Sequence, residues 1–195
     1  MAKITIASLM PLEAYARQRK DIRAGVMAHK KHRNVALGDH LTLIFEDEQT
    51  IRYQVQEMLH AEKIFEEAGI REELDTYNPL IPDGSNWKAT MMIEYEDIEE
   101  RRRMLNQLVG IEDRVWVQVA GYERVYAIAD EDLERATGQK TSAVHFLRFE
   151  LLPPMIAAFK QSAVLSMGVD HPAYQATLTP VPQAIRGSLL KDLQG

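Results

Sequence analysis

Two stretches of the chain share one order of elements and decide the predicted fold: KATMMIEYEDIEERRRMLNQLVGIEDRVWVQVA (residues 88–120) and AVHFLRFELLPPMIAAFKQSAVLSMGV (residues 143–169). Each stretch begins with an apolar, strand-like run, continues with a helical segment and ends in a second strand-like run. Residues 114–120 and 124–129 flank a turn at Gly121 and predict a hairpin. The two strand–helix–strand units are compatible with a split βαβ core in which both helices cover one sheet face.

The N-terminal part, residues 11–70, predicts a helix, a strand and a second helix. Pro11 suits a first helical turn, and apolar residues recur at helical intervals, so the first helix is predicted over residues 11–36. Residues 41–46, LTLIFE, predict a strand. Asp47 or Thr50 can cap the second helix, whose apolar stripe ends at Gly69.

These elements together predict one globular domain over residues 1–195. At 195 residues, folding buries roughly 70% of the surface of the unfolded chain, enough for a single core. The predicted class is α+β, with a mixed or mostly antiparallel sheet and helices packed on it. Two N-terminal helices precede the strand and helix core, residues 88–170, and no linker divides the two parts.

Composition excludes several classes of function. Apolar residues make up 46% and charged residues 27% of the chain, as in ordinary globular proteins. The chain has no cysteine, which excludes disulfides, a cysteine nucleophile and cysteine-ligated zinc or iron–sulfur clusters. We therefore predict no cofactor of these kinds and expect any redox chemistry to reside in a partner.

Location is predicted from the apolar runs. The N-terminal apolar stretch is interrupted by Pro11 and Glu13, too early for a signal peptide. The longest run without a charged residue, residues 171–185, contains three prolines and is shorter than the roughly 20 apolar residues of a membrane-spanning helix. We expect a cytoplasmic protein with no membrane contact.

The charge distribution is the most uneven feature of the sequence. The net charge is −6, whereas residues 17–33 hold seven basic side chains against Asp21 alone, a local balance of +6 that leaves −12 for the rest. This basic segment could bind an acidic protein, phosphate or nucleic acid, or could pack on acidic residues of its own chain such as those of residues 94–100. Its candidate partner-binding residues are Arg17, Arg19, Lys20, Arg23, Lys30, Lys31 and Arg33.

The spacing and the neighbours of the histidines do not predict a metal site. His29 and His32 lie among cations that repel a metal ion. Glu57 and His60 match a Glu-x-x-His spacing, but a di-metal bundle needs a second such motif, which the sequence lacks. His145 shares a strand face with apolar residues and is interpreted as a hydrogen-bonded core histidine. We predict no metal site.

Two further segments carry groups that could bind a small ligand. Asp170 and His171 lie at the end of a predicted strand with Tyr174 close behind, where they form either a binding site or a backbone-capping turn. Residues 77–87 mix amide, carboxylate and aromatic groups, which suits a pocket lip or a structural loop. A joint site requires both segments to meet in space; its residues would be Tyr77, Asn78, Asp83, Asn86, Asp170, His171 and Tyr174.

Several blocks of sequence carry a family resemblance: QVQEMLHAEKIFEEAGI, ELDTYNPLIPDGSNWKATMMIE, ERRRMLNQLVGIEDRVWVQVAG, VHFLRFELLPPMIAAFK and GVDHPAY. Together they resemble the bacterial family known as domain of unknown function 3501 over nearly the whole chain. The resemblance implies no activity and no site residues. It implies an association by genome position with a rubrerythrin-like protein and an iron–sulfur oxidoreductase of the heterodisulfide-reductase type.

The leading functional hypothesis is a non-catalytic accessory or binding partner in an oxidative-stress or electron-transfer system, which docks an acidic protein through the basic segment. The alternative is a small-ligand-binding protein or metal-dependent enzyme that uses residues 77–87 with Asp170 and His171. A weaker alternative is nucleic-acid binding by the basic segment, which lacks aromatic platforms for bases. A strand edge would also allow two copies to pair. The sequence assigns no nucleophile and does not decide whether the chain is an enzyme.

Overall fold

The computed structural model describes residues 3–133, 135–136 and 140–194, and these form an α+β fold that is 44% helical and 24% strand. The helices of this part are α1 (Leu12–Lys30), α2 (Glu48–Glu62), α3 (Glu67–Tyr77), α4 (Ile98–Gln107), α5 (Pro153–Lys160) and α6 (Gln183–Leu189). The strands are β1 (Asn34–Leu37), β2 (Leu41–Phe45), β3 (Asn86–Ile93), β4 (Val115–Val119), β5 (Val125–Tyr126), β6 (Ile128–Ala129), β7 (Val144–Glu150), β8 (Leu165–His171) and β9 (Tyr174–Leu178). The predicted α+β class is confirmed.

The described strands form two antiparallel sheets. Sheet A has the order β1-β2-β3-β7-β6, and sheet B has the order β5-β4-β8-β9. Each predicted strand–helix–strand unit starts in sheet A and ends in sheet B, because β3 pairs with β7 while β4 pairs with β8. The two units are therefore crossovers between sheets, and the split βαβ arrangement on one sheet is wrong. The predicted hairpin forms between β4 and β5, after which the chain passes into sheet A at β6.

The inner faces of the two sheets share one apolar core. Alternation along β3 and β4 points Ala89 and Met91 of sheet A and Val115 and Val117 of sheet B into the same cluster. Helices α4, α5 and α6 add their apolar stripes to it, as Phe159 does by packing edge-on against Trp87. The outer face of sheet A stays only partly covered, so polar side chains on it remain accessible.

The N-terminal helices form a second, smaller cluster. Ile51, Val55 and Leu59 of α2 pack with Leu74 of α3 and with Ile4 from the segment before α1. Asp47 caps α2 as predicted: its carboxylate accepts from the Thr50 backbone N–H at 2.9 Å. This helical layer lies beside the sheets and carries most of the basic segment.

Two predicted helix boundaries are wrong for identifiable reasons. The first helix stops at Lys30, because Val35 and Leu37 alternate into the core as strand β1. The predicted second helix divides at Lys63, whose left-handed backbone (φ 55°) ends α2. Elements α3, β9 and α6 were not predicted; β9 and the start of α6 lie in the uncharged, proline-containing run of residues 171–185.

Candidate functional site

The basic segment has an inner face that is bound within the protein. Arg19 donates from Nε and Nη2 to both oxygens of Glu57 in α2, at 2.8 and 2.7 Å. His29 lies 2.6 Å from an Asp47 oxygen. We call Arg19, His29 and Arg33 the inner basic face. Because these side chains already have carboxylate partners, they stabilise the packing of α1 on α2 and sheet A.

Arg33 is buried and must be removed from the predicted partner-binding set. Its side chain is 1% exposed. Its Nη2 donates to Asp192 Oδ2 at 2.5 Å and to the Glu46 carbonyl at 2.9 Å, and its Nε donates to the Phe45 carbonyl at 2.7 Å. Burial raises the pKa of Asp192 to about 6, although Arg33 opposes that rise. A partner cannot reach this arginine.

Glu57 and His60, the Glu-x-x-His pair, also belong to this interface. Glu57 accepts hydrogen bonds from Tyr15 and Arg19, and these bonds lower the Glu57 pKa to about 2. The His60 ring packs edge-on against Tyr15, with ring centroids 5.9 Å apart. The described residues contain no group of three histidine or acidic side chains placed to hold a metal ion.

The basic segment also has an outer face that faces solvent. Arg17, Lys20, Arg23 and Lys31 are exposed and form no ion pair with a carboxylate within the described residues. We call these four side chains the outer basic face. Arg17 and Lys20 lie on the side of α1 opposite Tyr15 and Val26, which are buried, whereas Arg23 lies on the flank between the two sides. Lys31 directly follows the last residue of the helix. Lys30 belongs to neither face, since it is half-buried and lines a small cavity of about 220 Å³ beside Ile44.

The acidic residues suggested as packing partners of the segment lie elsewhere. Glu94 accepts from the Thr42 hydroxyl, and Glu99 and Glu100 pair with Arg102 and Arg103 of their own helix. The internal partners of the basic segment are instead Glu57, Asp47 and Asp192. The packing interpretation holds for the inner face only, and with different carboxylates.

The two predicted ligand-binding segments do not meet. Tyr174 donates to the Leu37 carbonyl at 2.7 Å, beside the end of β3 at which Ile93 pairs with Leu41. Asn86 begins β3 at its other end, and eight extended residues separate the ends by roughly 23 Å. The joint site is therefore wrong: one half lies on β8 and β9 of sheet B, beside the end of β3, and the other half leads into the start of β3 in sheet A.

Asp170 and His171, at the end of β8, contact their own hairpin and also more distant segments. Asp170 Oδ2 accepts from the Tyr126 hydroxyl at 2.6 Å and from Arg124 at 3.1 Å. His171 Nδ1 accepts from the Ala173 N–H at 3.2 Å, and its Nε2 lies 3.1 Å from the Val109 carbonyl. Only the bond from the Ala173 N–H to His171 is of the backbone-capping kind, because Asp170 contacts side chains of another part of sheet B.

The residues of the 77–87 segment divide between structure and surface. Asn78 exchanges hydrogen bonds with the backbone of Ile4, and the buried Asn86 donates to Glu150. Tyr77 and Asp83, by contrast, line a cleft of about 910 Å³ between this segment and the outer face of sheet A. The pocket-lip interpretation fits these two residues.

His145 is fully buried, as its strand face predicted, but its partners were not predictable. Its Nδ1 lies 2.6 Å from Asp130 and its Nε2 lies 2.8 Å from the Thr141 hydroxyl. Thr141 in turn donates to the buried Glu112 at 3.1 Å. Asp130 and Glu112 come from different loops, so only the tertiary structure joins this network. Its burial and complete pairing indicate a structural role.

None of the helices in the described ranges combines the length and the apolar character needed to cross a membrane.

Comparison with known proteins finds similarity over the whole chain. The profile of the family described as "Protein of unknown function (DUF3501)" matches residues 3–193. No curated protein matches the chain. A crystal structure described as a novel protein of unknown function from Burkholderia pseudomallei K96243 is 57% identical, covering 99% of this chain and 100% of that chain with a TM-score of 0.94. The two chains share one fold over essentially their whole length.

Proposed function

We propose that this chain, which belongs to the DUF3501 family, is a non-catalytic accessory protein that docks an acidic protein through the outer basic face of α1. The observation that carries the proposal is the clustering within residues 17–31 of four exposed cations that have no carboxylate partner in the described residues. Arginines of α4 give the contrast, since Arg102 and Arg103 pair with glutamates on their own helix. The charge of α1 is available to another molecule, whereas much of the charge of α4 is not.

An acidic protein fits this surface better than a nucleic acid does. The net charge of −6 repels a polyanion that extends beyond the helix. Arg17, Lys20, Arg23 and Lys31 alternate with no exposed aromatic side chain that could stack on bases. A protein partner needs only a local acidic patch that is complementary to the outer basic face. The attraction between the two patches would also speed the diffusional encounter of the two proteins.

The family resemblance supplies the class of partner to test first. Its genome association suggests a rubrerythrin-like protein or an iron–sulfur oxidoreductase. The absence of cysteine is consistent with a chain that leaves sulfur-ligated electron transfer to such a partner. The role would then be docking or positioning in a peroxide-defence or electron-transfer system.

The test compares two triple charge reversals that change the net charge equally. Arg17→Glu/Lys20→Glu/Arg23→Glu alters the outer basic face, and Lys3→Glu/Arg101→Glu/Arg114→Glu alters exposed cations elsewhere that also have no ion pair in the described structure. Each purified candidate partner is titrated by calorimetry at low salt. The α1 variant should weaken binding about 30-fold or more, and raising the salt to about 0.5 M should weaken the wild-type complex.

Two results contradict the proposal. One is the absence of a complex between the wild-type chain and either candidate at low salt. The other is an equal loss of binding in both variants, which would indicate a net-charge effect. A gel shift with single-stranded DNA that depends on the α1 cations, in place of protein binding, would favour the nucleic-acid alternative.

A further inference from the structure

We propose that two copies of this chain pair through the open edge of β9, so that the two copies of sheet B form one continuous antiparallel sheet. This interface is separate from the outer basic face, and the partner it takes is a second copy of the chain. The sequence allowed two copies to pair at a strand edge without indicating which strand. The sheet order identifies β9, because this strand ends sheet B and pairs only with β8 in the described structure.

The other three edge strands of the described sheets are less suited to such pairing. Strands β5 and β6 have two residues each, shorter than the strands that normally form a stable pair. On β1, which has four residues, the Leu37 carbonyl already accepts a hydrogen bond from the Tyr174 hydroxyl. Strand β9 has five residues and is the longest edge strand in this part of the chain.

The backbone of β9 presents unused hydrogen-bonding groups at this edge. The Leu165 carbonyl accepts from the Val181 N–H at 2.8 Å, which shows that the odd-numbered residues of β8 direct their backbone groups away from β4 and towards the β9 side. Since β8 and β9 pair odd to even, the even-numbered residues of β9 bond back to β8. Gln175 and Thr177 therefore direct their N–H and C=O groups outward, where no other described segment bonds to them.

A second copy fits this edge because the sequence of β9 is complementary to itself. A two-fold axis at Ala176 sets Gln175 opposite the partner's Thr177, and in this register each of the two symmetry-related pairs exchanges both of its backbone hydrogen bonds. On the exposed face an amide side chain then meets a hydroxyl. On the other face Tyr174 meets the partner's Leu178, and the small Ala176 meets its own copy.

Prolines restrict the pairing to this register. Pro172 precedes Ala176 by four positions and Pro180 follows it by four. Because proline has no N–H to donate, each proline ends the ladder. Pairing about Ala176 places Pro172 opposite the partner's Pro180, outside the paired residues, and keeps the whole of β9 in the ladder.

Charge also favours a second copy as the occupant. The chain has a net charge of −6, so two copies repel each other over much of their surface. Residues 171–185 contain no Asp, Glu, Lys or Arg, and β9 lies within this run. Natural proteins usually protect an edge strand with charged side chains. Without such charges on β9, two copies can approach edge to edge with no like charges opposite each other in the ladder.

Sedimentation velocity on the full chain tests the pairing directly. Wild type should pass from monomer to dimer between about 5 and 500 μM, as expected of a small interface. Hydrogen exchange, quenched and read at residue level by mass spectrometry, locates the contact. The amides of Gln175 and Thr177 should exchange fast at the low concentration and become protected at the high one. The Ala176 amide, which bonds to β8, should be protected at both.

Two variants that share one substitution test the register. In Gln175→Lys/Thr177→Lys, lysines face each other twice across the axis, and self-association should weaken about tenfold or more. In Gln175→Lys/Thr177→Glu, each lysine faces a glutamate of the other copy, and self-association should be at least as strong as in wild type. Both variants place the same lysine opposite Asp170 on β8, so its effect on the single chain cancels. Asn106→Lys/Gln107→Lys, at exposed positions of α4, adds the same charge and should leave self-association unchanged.

Three results overturn the proposal. The first is a wild-type chain that remains monomeric at the highest concentration, which would leave the edge to an extended segment of another protein. The second is equal self-association of the two β9 variants. The third is exchange of the Gln175 and Thr177 amides that is equally fast at both concentrations, which would place any dimer contact elsewhere.

Discussion

The two faces of the basic segment both carry basic side chains, but these side chains have different roles. On the inner basic face, Arg19, His29 and Arg33 each contact a carboxylate of their own chain. On the outer basic face, Arg17 and Lys20 are exposed to solvent, although they lie only two residues and one residue from Arg19 in the sequence. A run of positive charge in the sequence is therefore not one surface in the folded protein. The position of each side chain around the helix decides whether its charge contributes to folding or is available to a partner.

The inner partners also come from distant parts of the chain. Glu57 lies in the next helix, whereas Asp192 lies near the C-terminus, 159 residues from Arg33. The buried ion pair between Arg33 and Asp192 joins segments that are distant in the sequence. It therefore stabilises the protein only when the whole fold has formed. Exposed charges on α1 carry no such constraint, so the two faces should respond very differently to substitution.

The largest effect is expected at Arg33, the most buried member of the inner face. Arg33→Met removes the partner of Asp192, which is itself 2% exposed, and leaves that carboxylate buried without its cation. We expect a loss of about 3–5 kcal/mol in the free energy of unfolding, measured by urea denaturation. The double variant Arg33→Met/Asp192→Asn should recover part of the loss, because it removes the unpaired charge.

A loss below about 1 kcal/mol in Arg33→Met would show that the inner face does not hold the fold together as described.

A smaller and pH-dependent effect is expected at Glu57. Its folded pKa, about 2, lies below its ordinary value of 4.5 because Arg19 and Tyr15 donate to the carboxylate. The carboxylate therefore stabilises the fold fully above pH 4.5, and this contribution is lost as the pH falls towards 2. Glu57→Gln should be less stable than wild type by about 1 kcal/mol at pH 7, after allowance for solvent screening.

Denaturation curves of both proteins between about pH 3 and pH 7 test the sign, since the difference should shrink on acidification. A constant or growing difference at low pH would mean that Glu57 acts through packing and not through its charge.

The smallest effect on stability is expected on the outer face. Arg23→Met removes an exposed cation that has no ion pair in the described structure. The free energy of unfolding should stay within about 0.5 kcal/mol of wild type, measured by the same urea titration. Arg33→Met is the same substitution at a buried, paired arginine. The difference in the free energy of unfolding between the two variants therefore measures the effect of burial and pairing. A loss comparable to that of Arg33→Met would remove the distinction between the two faces.

Much of the local structure was predictable because its signals are short-range. Alternation in residues 114–120 and 143–151 predicted β4 and β7, and Pro153 marked the start of α5. Two helix boundaries failed where long-range packing competed with local pattern. Residues 34–37 join β2 as a strand although they continue a helical run, and Lys63 turns the chain so that α3 can pack on α2.

The candidate sites were less predictable than the fold. Charge counting identified the basic segment, but it assigned Arg33 to a surface from which that residue is absent. Lys88 of β3, which lines the same cleft as Tyr77 and Asp83, carried no signal, since a single lysine in an apolar strand is ordinary. Its position became notable only when the 77–83 segment and β7 enclosed it.

The α+β class, most strands, the absence of cysteine chemistry and the positive balance of residues 17–33 all follow from the amino-acid sequence without the fold. These depend on composition and on periods of two to four residues, which are properties of neighbouring positions. Three features required the folded structure: the strand–helix–strand units cross between two sheets, Arg33 meets Asp192, and Tyr77 and Asp83 line a cleft. Each of these features depends on which distant segments pack together. Because the hydrophobic effect is non-directional, an apolar pattern predicts that a face is buried but not which segment it packs against.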